Sequence, residues 1–186
     1  MAGADLADIL AQRPLDAAPA LLGTRLEVGR RSGLVVEVEA YEGSDDPASH
    51  AHRGPTDRNR VMFGPPARLY VYRIYGMHWC ANVVCGPEGT PGAVLIRAIE
   101  PLTGLEAMWA DRPKARRPVD LGSGPGKLCA ALGIDGGHDG VDLLARNAPV
   151  RLHPDRPQPP DSVVAGPRIG ISKATERHWR FAVAGN

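Results

Sequence analysis

A carboxylate and an aromatic ring separated by one residue, Glu39 and Tyr41, open the part of this chain best equipped for chemistry. All four tyrosines, Tyr41, Tyr70, Tyr72 and Tyr75, fall between Leu34 and Asn82, in company with His50, His52 and several arginines. Rings gathered around an acid read as a stacking pocket for a flat ligand, with a proton acceptor at its edge. His50 and His52, joined by His78, Cys80 and Cys85, raise the alternative of a metal. No paired Cys-x-x-Cys spacing accompanies them, and a metal site is not expected.

Those side chains need a sheet to hold them. Residues 33–41 are rich in β-branched types and alternate apolar with polar, the pattern of a strand. Alternation places Val36, Val38 and Ala40 on one face and Glu37, Glu39 and Tyr41 on the other, with Glu39 and Tyr41 about 7 Å apart along the backbone. Glu37 reads as part of a solvated face; Glu39 is set apart by the aromatic that follows it on its own face. Residues 68–75 and 77–84 read as a hairpin turning at Gly76. Tyr70, Tyr72 and Ile74 share one face, Val71, Arg73 and Tyr75 the other, and His78, Cys80 and Asn82 share a face of the second strand. Tyr75 and Met77 flank the tip, where apolar side chains act as a folding staple or as a wedge between stacked bases. A further strand over residues 93–100 puts Leu95, Arg97 and Ile99 on one face.

The rest of the chain connects and caps. Residues 4–12 and 16–22 read as helices, forming an N-terminal helical cap over residues 1–14 and a second short helix, and 24–28 as a strand. Residues 42–66 form a loop long enough to be functional. Residues 103–111 suit an amphipathic helix and 113–119 a basic connector. The run Gly122-Ser123-Gly124-Pro125-Gly126-Lys127-Leu128 imitates a phosphate-binding loop, but Leu121 stands where its first glycine belongs and Leu128 where a magnesium-binding hydroxyl belongs. A glycine-rich helix entry still offers backbone N–H groups to an anion. That helix continues over 129–132 and stops at Gly133. Residues 139–146 read as a short helix, 150–153 as a strand, 154–160 as a proline-rich surface connector, and 168–172 and 179–184 as closing strands.

At 186 residues the chain reads as one domain of ordinary globular composition, without a membrane-spanning run or a signal-peptide pattern. Cys80, Cys85 and Cys129 make no disulfide framework, so a reducing, cytoplasmic setting is expected. The net charge of +1 does not announce a nucleic-acid binder. Its distribution says more: Arg53, Arg58, Arg60, Arg68 and Arg73 stand against Asp57 alone between residues 53 and 75. Such a strip suits phosphate contact, or is a set of solvated loop arginines.

Several blocks in order carry a resemblance: Val38-Glu39-Ala40-Tyr41, Pro47-Ala48-Ser49-His50, Arg58-Asn59-Arg60-Val61-Met62-Phe63, Leu69-Tyr70-Val71-Tyr72-Arg73-Ile74-Tyr75-Gly76-Met77, Val94-Leu95-Ile96-Arg97-Ala98-Ile99-Glu100-Pro101-Leu102 and Ser123-Gly124-Pro125-Gly126-Lys127-Leu128-Cys129. Together they resemble the alkyladenine DNA glycosylase family, the mammalian-type 3-methyladenine DNA glycosylases also found in bacteria, over roughly residues 15–184. The resemblance implies a mixed α/β (α+β) single domain with a curved antiparallel sheet, a protruding hairpin and peripheral helices. It implies a base-excision-repair enzyme acting on double-stranded DNA. Such an enzyme flips out alkylated or deaminated purines (3-methyladenine, 7-methylguanine, hypoxanthine, ethenoadenine) and hydrolyses the glycosidic bond with a water activated by Glu39. By the same resemblance Arg97 lies near the lesion phosphate or positions that water. The base lies between Tyr41 and Tyr72 with His50 along its edge, and Ala48, Cys80 and Leu95 complete the wall. Asn82 acts as a steric gate against guanine. Tyr75 and Met77 intercalate, and Arg58, Arg60, Arg73, Gly126 and Lys127 are expected on DNA phosphates. The family uses no metal, and no cofactor is expected; the protein is expected to be a monomer at the bacterial nucleoid. No lysine reads as a nucleophile, which implies a monofunctional enzyme leaving an abasic site. Two rivals remain: a module that recognises distorted DNA without chemistry, for which Glu39 is dispensable, and a hydrolase of small purine nucleosides, which needs neither the basic strip nor Tyr75.

Overall fold

The computed structural model describes residues 5–185, and within them eight strands form one antiparallel sheet. Two helices lead in: α1 (Leu6–Leu10), capped by the Asp5 carboxylate on the Ala7 N–H, and α2 (Pro14–Leu21), opened by a proline where no helical N–H is needed. The helix expected from residue 4 therefore begins later, and residue 4 itself lies outside the described residues. Next come β1 (Arg25–Val28), β2 (Arg31–Tyr41), β3 (Leu69–Ile74), β4 (His78–Val84) and β5 (Ala93–Thr103). The helices α3 (Leu105–Asp111), α4 (Pro118–Gly122) and α5 (Pro125–Leu132) follow, then β6 (Val150–His153), β7 (Val163–Gly166) and β8 (Arg180–Val183). The main path is β3-β4-β5-β2-β1-β6. Opposite β5, the other edge of β2 is divided: β1 pairs with its first residues and β8 with Glu37–Glu39, while β7 pairs on β8. An edge shared by two partners curls the sheet, and the outcome is the mixed α/β domain with a curved antiparallel sheet and outlying helices.

The two faces of the sheet do different work, and alternation decides which residue serves which. Val71 of β3, Ala81 and Val83 of β4 and Val94 and Ile96 of β5 join the main core, covered by α2 and α5 through residues such as Leu21, Leu128 and Leu132. Removing one such leucine side chain costs about 2–5 kcal/mol, because the close-packed site collapses only in part. The alternate residues, Tyr70, Tyr72, Asn82, Leu95 and Arg97, face away from that core and line a cavity. A smaller apolar cluster of Ala51, Met62, Tyr70, Val84 and Ala93 anchors the long loop over this second face.

Besides a register shift at Ser32/Gly33, the β2–β5 ladder is irregular next to the cavity. On β2 the core takes Val35, Val38 and Ala40, not Val36, and on β5 it takes Ile96 and Ile99. The register explains both corrections. Val35 pairs with Ile99, Glu37 with Ala98 and Val38 with Ile96, so Val36 and Arg97 are each one residue more than the partner strand supplies. The extra residue on one strand cancels that on the other, and the register is the same on either side. Bulges re-aim side chains and sharpen twist. Here they give Arg97 to the cavity and Ile99 to the core, where alternation alone placed both on one face.

Three further expectations need correction. Residues 139–146 are not a helix. Their backbone bonds go to β3 instead: the Leu69 N–H donates to the Val141 carbonyl, the Gly140 N–H to the Leu69 carbonyl, and the Asp139 carboxylate accepts the Val71 N–H at 2.8 Å. The segment thus covers an otherwise open sheet edge. Residues 168–172 are not a strand but part of the connection from β7 to β8, and they fold over the cavity. Residues 118–122, read partly as connector, form α4. No helix among the described residues is long and apolar enough to cross a membrane.

Candidate active site

The end of β2 presents Glu39 and Tyr41 on the second face, as alternation requires. Glu39 is fully buried, and both oxygens of its carboxylate have partners. Oε2 accepts the Tyr41 hydroxyl at 2.9 Å, and Oε1 accepts the Ile169 backbone N–H at 2.7 Å and lies 3.4 Å from Arg97 Nε. Burial pushes the Glu39 carboxyl above its ordinary value. The Arg97 charge, the Ile169 N–H and the Tyr41 hydroxyl pull the other way, and Glu37 adds to the rise. Tyr41 and Arg97 line a cavity of about 490 Å³, within the size range of small-ligand sites. Glu39 stands in the wall behind them.

Glu37 is not part of a solvated face. It lies 3.6 Å from Arg97 Nε on one side and accepts from Arg180 of β8 at 3.0 Å on the other. Glu37 and Arg97 lie on the same side of the sheet, where alternation from the Glu39–Leu95 pair also places them. Arg97 is therefore held between two carboxylates, and its charge is committed to the wall.

Tyr72 of β3 stands in the same cavity, its ring meeting His50 edge-on at 4.5 Å. Burial, then the Cys80 thiol, drives the Tyr72 hydroxyl far above the usual phenol range, and burial raises Tyr70 to about 12. Both stay protonated at physiological pH. His50 Nδ1 lies 3.0 Å from the Tyr70 hydroxyl. Burial and then the Arg58 charge push His50 below its ordinary value, so its ring is neutral in the same range. His52 turns elsewhere, Nδ1 meeting the Ser44 carbonyl. The two histidines diverge, and among the described residues no group of three His, Cys, Asp or Glu side chains gathers as a metal cage would. Buried Asn59 organises the loop: it accepts the Thr56 N–H at 2.6 Å and donates to the His50 and Gly54 carbonyls.

The structure brings the remaining base-site candidates Ala48, Cys80, Asn82 and Leu95 into the same wall. Asn82 is buried and donates to the Tyr70 carbonyl at 3.0 Å, satisfying the backbone of the neighbouring strand while facing the cavity. The hairpin tip is a tight turn in which Tyr75 and Gly76 both have positive φ, 52° and 67°, and the Met77 N–H reaches the Ile74 carbonyl at 3.2 Å. Glycine suits this conformation and tyrosine does not, a strain of about 1 kcal/mol or more. Tyr75 is 81% exposed and Met77 66% exposed at this tip. Side chains so exposed contribute little to packing in the free protein.

The phosphate candidates are placed unevenly. The Arg58 guanidinium lies over the Tyr72 ring at 5.3 Å and donates to the Arg73 carbonyl. Arg73 lies over Trp79. Gly126, in the first turn of α5, packs so closely on His78 that a β-carbon there would meet the His78 β-carbon at 3.0 Å. Lys127 is exposed with Nζ 3.3 Å from the Ser123 hydroxyl. Arg60 pairs with Asp57 in solvent and is not part of the cavity wall. Sequence reasoning missed one wall altogether: Ile169, Gly170, Ile171, Ser172 and Lys173 close the cavity opposite the sheet, and Pro125 of α5 joins them. No signal in the sequence marks it; in the structure the neighbouring Arg168 is buried, lies over the Tyr41 ring at 4.6 Å and forms a two-point pair with Asp46 at 2.6 and 2.8 Å.

Rings converge on the cavity, an acid stands in its wall and an exposed aromatic side chain tips the hairpin beside it. Comparison with known proteins identifies the family. Residues 8–186 match the family described as methylpurine-DNA glycosylase (MPG). A protein named "Putative 3-methyladenine DNA glycosylase" from Burkholderia lata is 53% identical over 172 residues, 92% of this chain and 83% of its own length. Proteins of the same name from Rhodopseudomonas palustris, 53% identical over 168 residues (90% and 79%), and Agrobacterium fabrum, 51% identical over 176 residues (92% and 84%), are similar too. The chain belongs to the methylpurine-DNA glycosylase family. It is a DNA glycosylase, an enzyme of DNA repair whose substrate is damaged DNA.

Proposed function

We propose that the enzyme extrudes alkylated or deaminated purines from double-stranded DNA and hydrolyses their glycosidic bond with a water activated by Glu39. The observation that carries this reading is the buried Glu39 carboxylate, bonded to Tyr41 and facing Arg97, both of which line the cavity. A flipped purine fits between the Tyr41 and Tyr72 rings, each stacking contact contributing about 1–3 kcal/mol. Purines alkylated at N3 or N7 are cationic and gain further attraction from the ring faces. Neutral lesions need a proton donor at the base edge, and neutral His50 offers a ring N–H there once Tyr70 donates to its other nitrogen. The enzyme acts as a monomer, in the cytoplasm at the nucleoid.

The deciding experiment is single-turnover release of 3-methyladenine, 7-methylguanine, hypoxanthine and 1,N6-ethenoadenine from duplex DNA at two salt concentrations. Release of at least one base, faster at low salt, is expected; lesion binding without release of any base would favour the non-catalytic module. Strand cleavage by the pure protein without heat or alkali, abolished by Lys173→Ala, would contradict a monofunctional mechanism. Asn82→Ala is expected to admit guanine: release of the normal base should rise about tenfold or more, the scale on which a pocket discriminates by small steric differences. No gain would remove Asn82 from selectivity. Lys127→Ala should reduce the slope of log binding constant against log salt by about one if its ammonium meets a phosphate. An unchanged slope would leave Lys127 to its Ser123 contact alone.

A further inference from the structure

The connection between β7 and β8 lies outside any ladder over residues 167–173, yet it delivers a backbone N–H to Glu39 with a bond of 2.7 Å. Something must fix that segment. The residue before Ile169 is Arg168, fully buried against fully buried Asp46. Its two terminal nitrogens grip both Asp46 oxygens, and Nη1 also donates to the Ala40 carbonyl at 3.0 Å. Ala40 stands between Glu39 and Tyr41. The guanidinium plane is packed against Tyr41 at 4.6 Å and Trp179 at 5.0 Å. Asp46 in turn accepts the Glu42 and Ala48 N–H groups, and Ala48 lines the cavity.

One ion pair thus touches four things at once: the strand end carrying the acid, one face of a stacking tyrosine, the loop bearing the base-edge residues, and the segment donating to the acid. Stability alone does not account for it. Arg168 Nε is buried without a hydrogen-bond partner, and a buried pair seldom outperforms the apolar residues that would replace it. We infer that Arg168 and Asp46 form a positioning clamp, which holds the Ile169 N–H on Glu39 and backs the Tyr41 ring so that its other face is presented to the base. The inference rests on the reading of Glu39 as the base. The charged and titratable groups around Glu39 are Glu37 and Tyr41 on its own strand, Arg97 on β5, Arg180 on β8 through Glu37, and Arg168 itself.

Two variants test the clamp. Arg168→Lys keeps the charge but loses the two-point grip. The double variant Asp46→Asn/Arg168→Gln replaces the ion pair by neutral amides and leaves no lone buried charge. Thermal melts establish that each is folded. Amide exchange at Ile169 reads the clamp directly, and single-turnover excision against pH reads its consequence. Exchange at Ile169 should accelerate in both variants. Excision at neutral pH should fall by about 100-fold, the usual cost of displacing a reacting group by about 1 Å. The acid limb of the profile should move up by about one pH unit, because one backbone donor to the carboxylate is lost. A merely structural weakening lowers the amplitude and leaves the limb in place. Unchanged exchange at Ile169 overturns the clamp; faster exchange with wild-type rate and limb overturns its hold on catalysis. Glu39→Gln run alongside separates the two ideas: wild-type excision by that variant overturns the base itself, whatever the exchange at Ile169 shows.

Discussion

Glu39→Gln is expected to lower single-turnover excision by about 100- to 10,000-fold, the range general-base catalysis supplies, while making the folded protein more stable at neutral pH. The two effects share one cause. Burial raises the Glu39 carboxyl above its ordinary value of 4.5, so the fold favours the protonated form more than the unfolded chain does. The stability this contributes is fully present below the unfolded value. It is lost as pH rises through the higher folded value, where the fold must hold an ionised carboxylate in a closed wall. Glutamine has the shape of the protonated acid and does not titrate. It still accepts the Ile169 N–H, and its amide can donate to the Tyr41 hydroxyl. The stability advantage of the variant should therefore widen between pH 4 and pH 8 in urea titrations. The wild-type excision rate should fall on the acid side at a pH above 4.5, where a freely exposed glutamate would still be ionised. A variant that excises within a few fold of wild type, or whose advantage shrinks as pH rises, would count against the role assigned to Glu39.

Tyr75→Ala is the second large effect, and it should appear only in double-stranded DNA. The side chain is 81% exposed on the free protein, so its removal should change unfolding stability by no more than about 0.5 kcal/mol. Its value lies in the stack it would fill when the damaged base leaves. A stacking contact of about 1–3 kcal/mol corresponds to a loss of roughly 5- to 150-fold in excision from duplex. The same lesion in a single strand has no vacated stack, and its rate should hold within a factor of about two. Equal losses on both substrates would show that Tyr75 serves the cavity, whose rim it also reaches, and not the duplex.

Much of this site was legible because the hairpin obeys a simple rule. Tyr70, Tyr72 and Ile74 alternate onto one face of β3 in sequence and in structure, and Asn82 sits directly across from Tyr70 as the register requires. What was not legible has three physical sources. Alternation cannot signal its own interruption, so the bulges at Val36 and Arg97 were invisible, and with them the inward turn of Val35 and Ile99. Local composition cannot tell a strand from an extended loop. Residues 168–172 have strand-like residues but no ladder partner, and become a wall of the cavity. Residues 139–146 were read as a helix although their backbone groups are claimed by β3, a partner some 70 residues earlier in the chain. The Asp46–Arg168 pair spans 122 positions, and nothing in either neighbourhood announces the other.

The matched bulges on β2 and β5 carry a consequence for how such a site can arise or be lost. Deleting Val36 alone would leave Arg97 as an ordinary one-residue bulge, and deleting Arg97 alone would leave one at Val36. Either way the flanking pairs Val35–Ile99 and Val38–Ile96 can stand, with all four side chains still inward. Deleting both would restore an unbroken ladder at this point. The core is therefore indifferent to the length of this stretch, and either strand should be free to gain or lose its extra residue separately.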